Sequence, residues 1–327
     1  MTAQPPSLAS IRALVQQDWK ALDGEITRRM ASNIPLINQL GNHLIHSGGK
    51  RLRPLIVLLA ARASGYEGPA ATTLAAVIEF IHTATLLHDD VVDGSELRRG
   101  QTTANVLWGN EASVLVGDFL YSRAFQMMVE MGNARVMEVL ADTTNTIAEG
   151  EVLQLLNCND PTITEEQYIV VISHKTAKLF EAAALTGAIL AGVTSATEQA
   201  LAGYGMHLGI AFQLIDDLLD YDADRAVLGK NVGDDLAEGK ATLPLIHALR
   251  HGTPEQQELL ARAVRDGGLS EIEPVSAAIE STGSIAYTAA QAEREAQHAR
   301  QALSTIPESP YKQALLDLAH FSVYRDH

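Results

Sequence analysis

The chain has 327 residues, of which 46% are hydrophobic and 20% are charged, and its formal net charge is −16. This length permits a large buried core, and the composition is that of a globular protein rather than a disordered one. The acidic balance argues against a nucleic-acid-binding protein, which should be basic. The single cysteine, Cys158, excludes an intrachain disulfide, so nothing indicates an oxidising compartment.

The first residues, Met1 to Ser10, are polar and contain proline. They lack the basic and then apolar pattern of a signal peptide. The apolar run at 55–61 is too short to cross a bilayer. We therefore expect a cytoplasmic protein without a transmembrane segment.

Helical patterns recur along the chain, whereas strand patterns are weak. A long helix is predicted from Ala70 to Val92, directly after Pro69. Thr164 and Gln167 have the spacing of a capping box, which predicts a helix that runs to about Ala191.

Ser195 and Glu198 predict the start of a further helix to about Tyr221, and Ser309-Pro310 predicts the start of the last one. The stretches 179–191 and 208–219 are apolar around most of their circumference, which is typical of helices inside a bundle. We find no repeat and no linker. The sequence therefore predicts a single all-α domain over residues 1–327, with central helices ringed by others.

The end of the helix at 70–92 carries an acidic cluster, Asp89-Asp90-x-x-Asp93. Residues i and i+4 share a helix face, so Asp89 and Asp93 point the same way. Carboxylates this close repel one another unless a cation lies among them. Short side chains with oxygen ligands suit Mg²⁺, which bridges carboxylates to phosphate groups.

A second cluster with the same spacing, Asp216-Asp217-x-x-Asp220, ends another apolar helix. One such cluster is readily explained as a solvated helix end. Two copies, each after an apolar helix where carboxylates are costly to bury, indicate a pocket for several divalent ions if the helix ends face each other.

Basic residues lie close to these clusters in the sequence. Arginine offers bidentate contacts to phosphate oxygens, and glycine permits close backbone approach. Each residue alone could be an ordinary surface charge, but together they predict phosphate binding. The basic residues in question are those of the loop 48–54, Arg98, Arg99, Lys175 (next to Thr176), Lys230 and Lys240.

His82 lies seven residues before Asp89 and therefore on nearly the same helix face. A single histidine on such a helix is more often a hydrogen-bonded core residue than a ligand-binding one.

All these motifs together resemble the trans-isoprenyl diphosphate synthases, in that family's order and over nearly the whole chain. The matching stretches are GGKRLRP from Gly48, FIHTATLLHDDVVD from Phe80, RRG from Arg98, GDFLYSRAFQMM from Gly117, EGEVLQL from Glu149, KTAKLFEAA from Lys175, AFQLIDDLLDY from Ala211 and GKNVGDDLAEGKATLPL from Gly229. We see no departure from the family's motif pattern.

The resemblance implies the isoprenoid synthase fold, with antiparallel helices around a deep central cavity, and a homodimer. It also implies two or three Mg²⁺ ions in each active site and two substrates, isopentenyl diphosphate and an allylic diphosphate. The residues that it implicates fall into four sets. The catalytic set is Asp89, Asp90, Asp93, Asp216, Asp217 and Lys175, of which Asp89, Asp93 and Asp216, with Asp220, would bind metal. The isopentenyl diphosphate set is Lys50, Arg53, His82 and Arg99. The allylic set is Arg98, Lys175, Thr176, Gln213 and Lys230.

Within the family the chain most resembles the long-chain, octaprenyl-forming members. The implied product is octaprenyl or nonaprenyl diphosphate, the precursor of a quinone side chain, made from a primer such as farnesyl diphosphate. Ala84 and Thr85 precede the first cluster, where short-product members tend to carry bulky aromatic residues. These small residues suggest that a growing tail can pass, with a floor among Met127, Met128, Met131 and Leu140.

Three other interpretations remain open. Glu79-x-x-His82 and Glu295-x-x-His298 have the spacing of a di-iron carboxylate site, but the second motif lies in a polar, arginine-rich stretch. A silent subunit that only binds prenyl diphosphates would not need both aspartate clusters complete. A terpene cyclase shares the fold but usually lacks the paired clusters and the GGKRLRP loop.

Overall fold

The computed structural model describes residues 7–46, 49–98, 100–221 and 233–324, and its regular structure is almost entirely helical. One two-stranded antiparallel hairpin occurs, β1 (Leu97–Arg98) and β2 (Gln101–Thr102), in which Leu97 pairs with Thr102. The α-helices are α1 (Leu8–Ala13), α2 (Gln16–Met30), α3 (Pro35–His46), α4 (Leu52–Ala63), α5 (Ala70–Val92), α6 (Ala104–Trp108), α7 (Asn110–Met131), α8 (Ala134–Asn157), α9 (Glu165–Ile172), α10 (Lys178–Leu190), α11 (Ser195–Leu219), α12 (Asp234–Ala237), α13 (Leu243–His251), α14 (Pro254–Asp266), α15 (Ile272–Ser281), α16 (Ser284–Ala302) and α17 (Pro310–Tyr324). A π-helical turn spans Ser173–Ala177, and 3₁₀ turns span Leu269–Glu271 and Leu303–Thr305.

Some of the helix starts carry side-chain caps. Both hydrogen bonds of the predicted capping box are present, since Thr164 Oγ1 accepts from the N–H of Gln167 and the Gln167 side chain accepts from the N–H of Thr164. Helix α11 begins at Ser195 as predicted, but Thr194 caps it by accepting a hydrogen bond from the N–H of Thr197 at 3.3 Å.

The helix predicted from Thr164 to about Ala191 is not continuous. It is interrupted between α9 and α10 by the π-helical turn at Ser173–Ala177. Such turns are rare and occur frequently at functional sites. Apolar periodicity does not reveal this one, because α10 is apolar around most of its circumference and a shift in helical phase leaves its pattern unchanged.

The chain folds into two compact units, each built from segments that are distant in sequence. The first, unit 1, consists of Met1–Thr144, Leu179–Gly203 and Leu303–Leu318. Within it α5 packs against α2, α4 and α7. At the contact of α5 with α7, Gly117 leaves room for the His88 ring, since a Cβ there would lie 2.3 Å from its Nε2 and displace that side chain. Unit 1 therefore anchors α5 in a packed core, and the helix end with the first aspartate cluster is only partly buried.

The second, unit 2, consists of Asn145–Lys178, Tyr204–Ala302 and Ala319–His327. Helix α13 packs against α14, α15 and α16. Its residues contribute to two buried apolar clusters. Leu245 belongs to one and Ile246 to the other. Full burial of side chains of this size stabilises a fold by about 1.5–3 kcal/mol each.

The prediction of a single domain over residues 1–327 stays a prediction.

Helix α5 is the one helix among the described residues that is long and apolar enough to cross a membrane, with a mean hydropathy of 1.5 in its most apolar window. Of that window 56% is buried inside the protein. Length and composition alone are weak evidence for a membrane span, because the core helix of a globular protein passes the same test.

Candidate active site

The first aspartate cluster lies at the carboxyl end of α5. Asp89 and Asp90 belong to its last turn, and Asp93 is its C-cap. The helix dipole places a partial negative charge at this end, which adds to the carboxylates rather than offsetting them. The arrangement therefore favours a bound cation.

Asp90 differs from its neighbours because its side chain is buried, with 4% of the residue exposed. Its Oδ1 accepts hydrogen bonds from Nε and Nη2 of Arg98 at 2.8 and 2.6 Å. The ion pair joins the end of α5 to strand β1. Asp90 thus holds Arg98 in place, which suits the supporting role expected for it.

Two residues that the sequence did not single out tether the segment after the cluster. Nδ2 of Asn105 donates to the backbone oxygens of Asp90 and Ser95, both at 3.1 Å. Oγ1 of Thr103 donates to the oxygen of Ser95 at 2.7 Å. These bonds fix the path of the chain between Asp93 and the arginine pair. Arg99 itself lies outside the described residues.

The second aspartate cluster ends α11 in the same electrostatic setting. Asp217 is buried, with 3% exposed, and accepts hydrogen bonds from the hydroxyl of Tyr168 and from Nε2 of Gln213, the latter at 2.6 Å. Burial, and then the negative charge of Asp235, raise the pKa of Asp217 well above its ordinary value. Burial, and then Asp217, likewise raise the pKa of Tyr168.

Asp220 connects α11 to the start of α12. Its two carboxylate oxygens accept hydrogen bonds from the N–H groups of Asp234 and Asp235 at 3.2 and 3.1 Å. A carboxylate has about four lone-pair sites, so these bonds do not exclude metal binding. The predicted substrate-binding residue Lys230 lies outside the described residues.

The π-helical turn carries Lys175 and Thr176. Nζ of Lys175 lies 2.7 Å from a carboxylate oxygen of Glu151. Oγ1 of Thr176 donates to Oε1 of Gln213 at 2.9 Å. Helix α8 packs closely against this turn because residue 150 is glycine. A Cβ at this position would lie 2.7 Å from the backbone N of Lys175. The turn is thus held by contacts on two sides.

These side chains of unit 2 share one cavity of about 130 Å³. Its wall includes Lys175, Thr176, Gln213 and Asp217, together with Tyr168. Four residues from two separate motifs therefore meet in one place. Within this wall Thr176 donates to Gln213, and Gln213 and Tyr168 donate to Asp217, which gives a continuous hydrogen-bonded series.

Two of the residues predicted to bind isopentenyl diphosphate are in contact within unit 1. Nη1 of Arg53 lies 3.1 Å from Nε2 of His82. The Arg53 guanidinium also lies 4.3 Å from the ring centre of Phe180. This cation–π contact restrains the orientation of the guanidinium. The structure thus brings together an arginine and a histidine from distant motifs.

The neighbouring Arg51 has a structural role. It adopts the left-handed conformation, with φ +43°, which is uncommon for a residue other than glycine. Its guanidinium lies 2.7 Å from Asp23 and 3.6 Å from Glu79. The carbonyl of Lys50 accepts a hydrogen bond from Arg12. These contacts shape the basic loop before α4, and Gly48 lies outside the described residues.

The residues expected to control product length lie on α5, on the last turns of α7 and on α8. Ala84 is completely buried, and Oγ1 of the half-buried Thr85 donates to the oxygen of His82 at 2.9 Å. The expected floor residues Met127, Met128 and Leu140 are buried, and Met131 is half-buried.

A di-iron site finds little support in unit 1. Glu79 lies beside Arg51, and His82 lies beside Arg53. A guanidinium next to each proposed ligand repels a metal ion. Glu79 is therefore paired with an arginine, and the guanidinium beside His82 is better suited to binding an anion than a metal ion.

A family model described as "Polyprenyl synthetase" matches residues 34–281, which is most of the chain. The chain belongs to the polyprenyl synthetase family. Its fold is accordingly the all-α isoprenoid synthase fold that the sequence predicted, and the family is one of prenyltransferases.

Individual members of the family resemble this polyprenyl synthetase over nearly their full length. The octaprenyl diphosphate synthase of Escherichia coli (strain K12) is 57% identical over 321 residues, which are 98% of this chain and 99% of that protein. The all-trans-nonaprenyl-diphosphate synthase (geranyl-diphosphate specific) of Rhodobacter capsulatus is 46% identical over 316 residues, covering 96% and 97%. The solved structure of a polyprenyl synthase from Caulobacter crescentus CB15, complexed with calcium and isoprenyl diphosphate, has a TM-score of 0.95 and 45% identity and covers 99% of both chains.

Some residues of this polyprenyl synthetase that organise the site carry little signal in the sequence. Tyr168 has one usable signal, because it lies seven residues before Lys175 and so two helical turns away. Gly150 and Glu151 lie inside the quoted EGEVLQL stretch, but only the structure shows them against the π-helical turn. Asn105 has no signal, since a lone asparagine near the start of a short helix is common.

Proposed function

We propose that this prenyltransferase is a long-chain all-trans polyprenyl diphosphate synthase whose product is octaprenyl diphosphate. It adds isopentenyl diphosphate units to an allylic primer, farnesyl diphosphate, and the product supplies the side chain of ubiquinone. The supporting observation is the 57% identity with an octaprenyl diphosphate synthase, against 46% with a nonaprenyl-forming relative. Nonaprenyl diphosphate is the alternative product.

Mass spectrometry of the products tests this proposal. The purified chain alone is supplied with isopentenyl diphosphate, Mg²⁺ and either farnesyl or geranyl diphosphate. We expect an eight-unit product, formed faster from farnesyl diphosphate. A product no longer than four units would contradict the long-chain assignment, and no turnover by the chain alone would favour the silent-subunit interpretation.

The donor chemistry of the aspartate clusters fits Mg²⁺. Short carboxylates sit at two helix carboxyl ends, where the dipole adds to their negative charge. We assign metal binding, with two or three ions in each site, to Asp89, Asp93, Asp216 and Asp220. Asp90 and Asp217 are buried and paired, and they position the others.

When bound, Mg²⁺ neutralises the charge of the allylic diphosphate, which makes it a better leaving group. Lys175, Arg98 and Lys230 add positive charge to the same diphosphate. Its C–O bond breaks, and diphosphate departs with the electron pair. The double bond of isopentenyl diphosphate, held by Lys50, Arg53, His82 and Arg99, then attacks the allylic cation. The proton lost from the new chain goes to the released diphosphate, since the sequence shows no evident side-chain base.

Thr176 and Gln213 have a further role beside the carbocation. The hydroxyl proton of Thr176 is directed to Oε1 of Gln213. The Thr176 oxygen therefore presents lone pairs, rather than its proton, to the cavity. A dipole oriented in advance stabilises developing positive charge without the cost of reorganisation.

The metal assignment is tested by Asp89→Asn and Asp216→Asn. Each removes one charged ligand with little change in volume, so we expect turnover to fall at least about a hundredfold. Asp266→Asn is the matched control, because Asp266 is an exposed carboxylate at the end of α14. Full activity in both cluster variants would refute the assignment.

We also propose a homodimer that buries the outer face of α7. Leu115 and Val129 are 65% and 64% exposed, and fourteen residues apart they lie within about 40° of one another around the helix. Exposed apolar patches of this kind mark interaction surfaces. Light scattering should show that Leu115→Glu is monomeric. Val170→Glu, on an exposed apolar position of α9, should leave the oligomer unchanged.

We place the enzyme in the cytoplasm. The burial of much of α5 supports a core position for the one helix, among the described residues, that could span a membrane. Fractionation of cells that express the chain tests this placement, with activity expected in the soluble fraction.

A further inference from the structure

Three side chains with metal-binding atoms converge in unit 2, and none of them belongs to the candidate active site. His207 lies on α11, and Glu295 and His298 lie on α16. Their ligand atoms all fall within 4.8 Å of one another, and they are the one group of three or more such residues found in the described part of the chain. The cluster is independent of the aspartate motifs.

The geometry joins two helices through a shared carboxylate. Nδ1 of His207 lies 2.7 Å from one oxygen of Glu295, and Nδ1 of His298 lies 3.8 Å from the other. The imidazole rings of His207 and His298 meet edge to face, with centroids 5.1 Å apart. Glu295 and His298 share a helix face because they are three residues apart.

The ligand chemistry selects the class of ion. Two imidazoles and one carboxylate suit Zn²⁺ and its transition-metal neighbours, whereas Mg²⁺ prefers oxygen ligands alone. Bonds of about 2.0–2.2 Å in a tetrahedral site place ligand atoms roughly 3.3 Å apart. The two separations that involve Glu295, 2.7 and 3.8 Å, bracket that value, and all three ligand atoms lie within 4.8 Å of one another. The side chain of His298 is 52% exposed, which leaves room for water on the open side.

The cluster is separate from the catalytic metal residues. His207 precedes Asp216 by nine residues on α11, which is about 13.5 Å along the helix and half a turn around it. The two positions therefore face opposite sides of the same helix. An ion at His207 has no contact with the ligands proposed for Mg²⁺.

We propose that His207, Glu295 and His298 form a binding site for Zn²⁺ or a similar divalent transition-metal ion, which bridges α11 and α16. The site goes beyond the proposed synthase activity and does not depend on it. The bound ion ties the helix that carries the second aspartate cluster to its neighbour. It should therefore raise the melting temperature of the protein.

The test is calorimetric titration of the full chain with Zn²⁺ in the presence of excess Mg²⁺, which saturates the oxygen-ligand sites. We expect one equivalent to bind the native chain. In Glu295→Gln and His298→Ala the affinity should fall at least about tenfold, and the rise in melting temperature should disappear. Titration with Co²⁺ should give a visible absorption band that both variants lose.

Two control variants identify the site. His251→Ala removes an exposed histidine from α13 and should leave Zn²⁺ binding intact, as should Asp216→Asn. The cluster would be only a hydrogen-bonded ion pair if the native chain binds no Zn²⁺ under these conditions. Loss of binding in Asp216→Asn, with retention in His298→Ala, would place the ion at the aspartates and overturn the proposal. Circular dichroism without metal verifies that each variant is folded.

Discussion

Tyr168 donates the proton of its hydroxyl group to the buried carboxylate of Asp217. Both residues are almost inaccessible to solvent, at 5% and 3%. The bond connects α9 to the last turn of α11 within unit 2. It therefore positions the start of the second aspartate cluster in space, although Tyr168 belongs to none of the acidic or basic motifs.

Tyr168→Phe should lower turnover while leaving the fold intact. The substitution removes one of two donors to a buried carboxyl group, which costs about 1–3 kcal/mol, and lets Asp217 turn away from its present position. Steady-state kinetics should show a fall in kcat and a higher Mg²⁺ requirement. Tyr311→Phe, at a half-buried tyrosine on α17, is the control. An unchanged Mg²⁺ dependence in Tyr168→Phe would show that the bond has no positioning role.

Gly150→Ala should impair the site through the backbone of the π-helical turn. The new Cβ would lie 2.7 Å from the backbone N of Lys175 and 2.8 Å from Cβ of His174. Because neither atom is the end of a flexible side chain, the turn must move and carry Lys175 and Thr176 with it. We expect a higher KM for the allylic substrate, measured at saturating isopentenyl diphosphate.

The control for this prediction is Gly24→Ala. Gly24 lies inside α2, and a Cβ there would meet nothing within 4 Å. Alanine favours a helix over glycine by up to about 1 kcal/mol, so this variant should melt at a slightly higher temperature with unchanged kinetics. Equal kinetics for the two glycine variants would mean that the turn tolerates displacement.

Ala84→Tyr should shorten the main product if the growing tail passes this part of α5. Chromatography of radiolabelled products measures the length. Ala84 is completely buried, so overpacking, which costs about 1–3 kcal/mol, needs its own control. Ala76→Tyr provides it, since Ala76 is equally buried on the same helix. An unchanged product from Ala84→Tyr, or the same shortening from Ala76→Tyr, would contradict a tail path at Ala84.

The sequence predicted the fold class and the long helices because both depend on local patterns. Apolar periodicity and the absence of strand signals are sufficient to locate α5 and α11 to within a few residues. The capping box at Thr164 is equally local, since its two hydrogen bonds join residues three apart. The family resemblance rested on motifs that occur in the family's order along nearly the whole chain.

The parts that escaped prediction depend on distance in space rather than in sequence. Tyr168 and Asp217 are 49 residues apart, and no pattern in either segment predicts that the two side chains are in contact. The closeness of Gly150 to the π-helical turn is set by packing between α8 and that turn. His207 could not be linked to Glu295, 88 residues later, because a lone histidine on a helix gives no sign of its partner.

The stability of the protein should fall in mild acid through His247. Burial, and then the positive charge of His251, lower the pKa of His247 below its ordinary value of 6.5. Glu165 raises it and Arg250 lowers it further, while Ser284 and Tyr287 contact the ring without carrying charge. The unfolded chain therefore takes up a proton at a higher pH than the folded protein. This contribution to stability is fully present above the unfolded pKa and is lost as the pH falls through the folded one.

Replacing His247 with glutamine removes this titration and retains a hydrogen-bonding side chain next to Ser284. We expect the urea midpoint of His247→Gln to change less than that of the native protein between about pH 7.5 and pH 5.5, the range in which an ordinary histidine titrates. His320→Gln, at an exposed histidine of α17, should keep the native pH dependence. Parallel curves for the native protein and His247→Gln would show that another group causes the acid sensitivity. The partly buried position of the imidazole between His251 and Tyr287 is the physical reason to expect the difference.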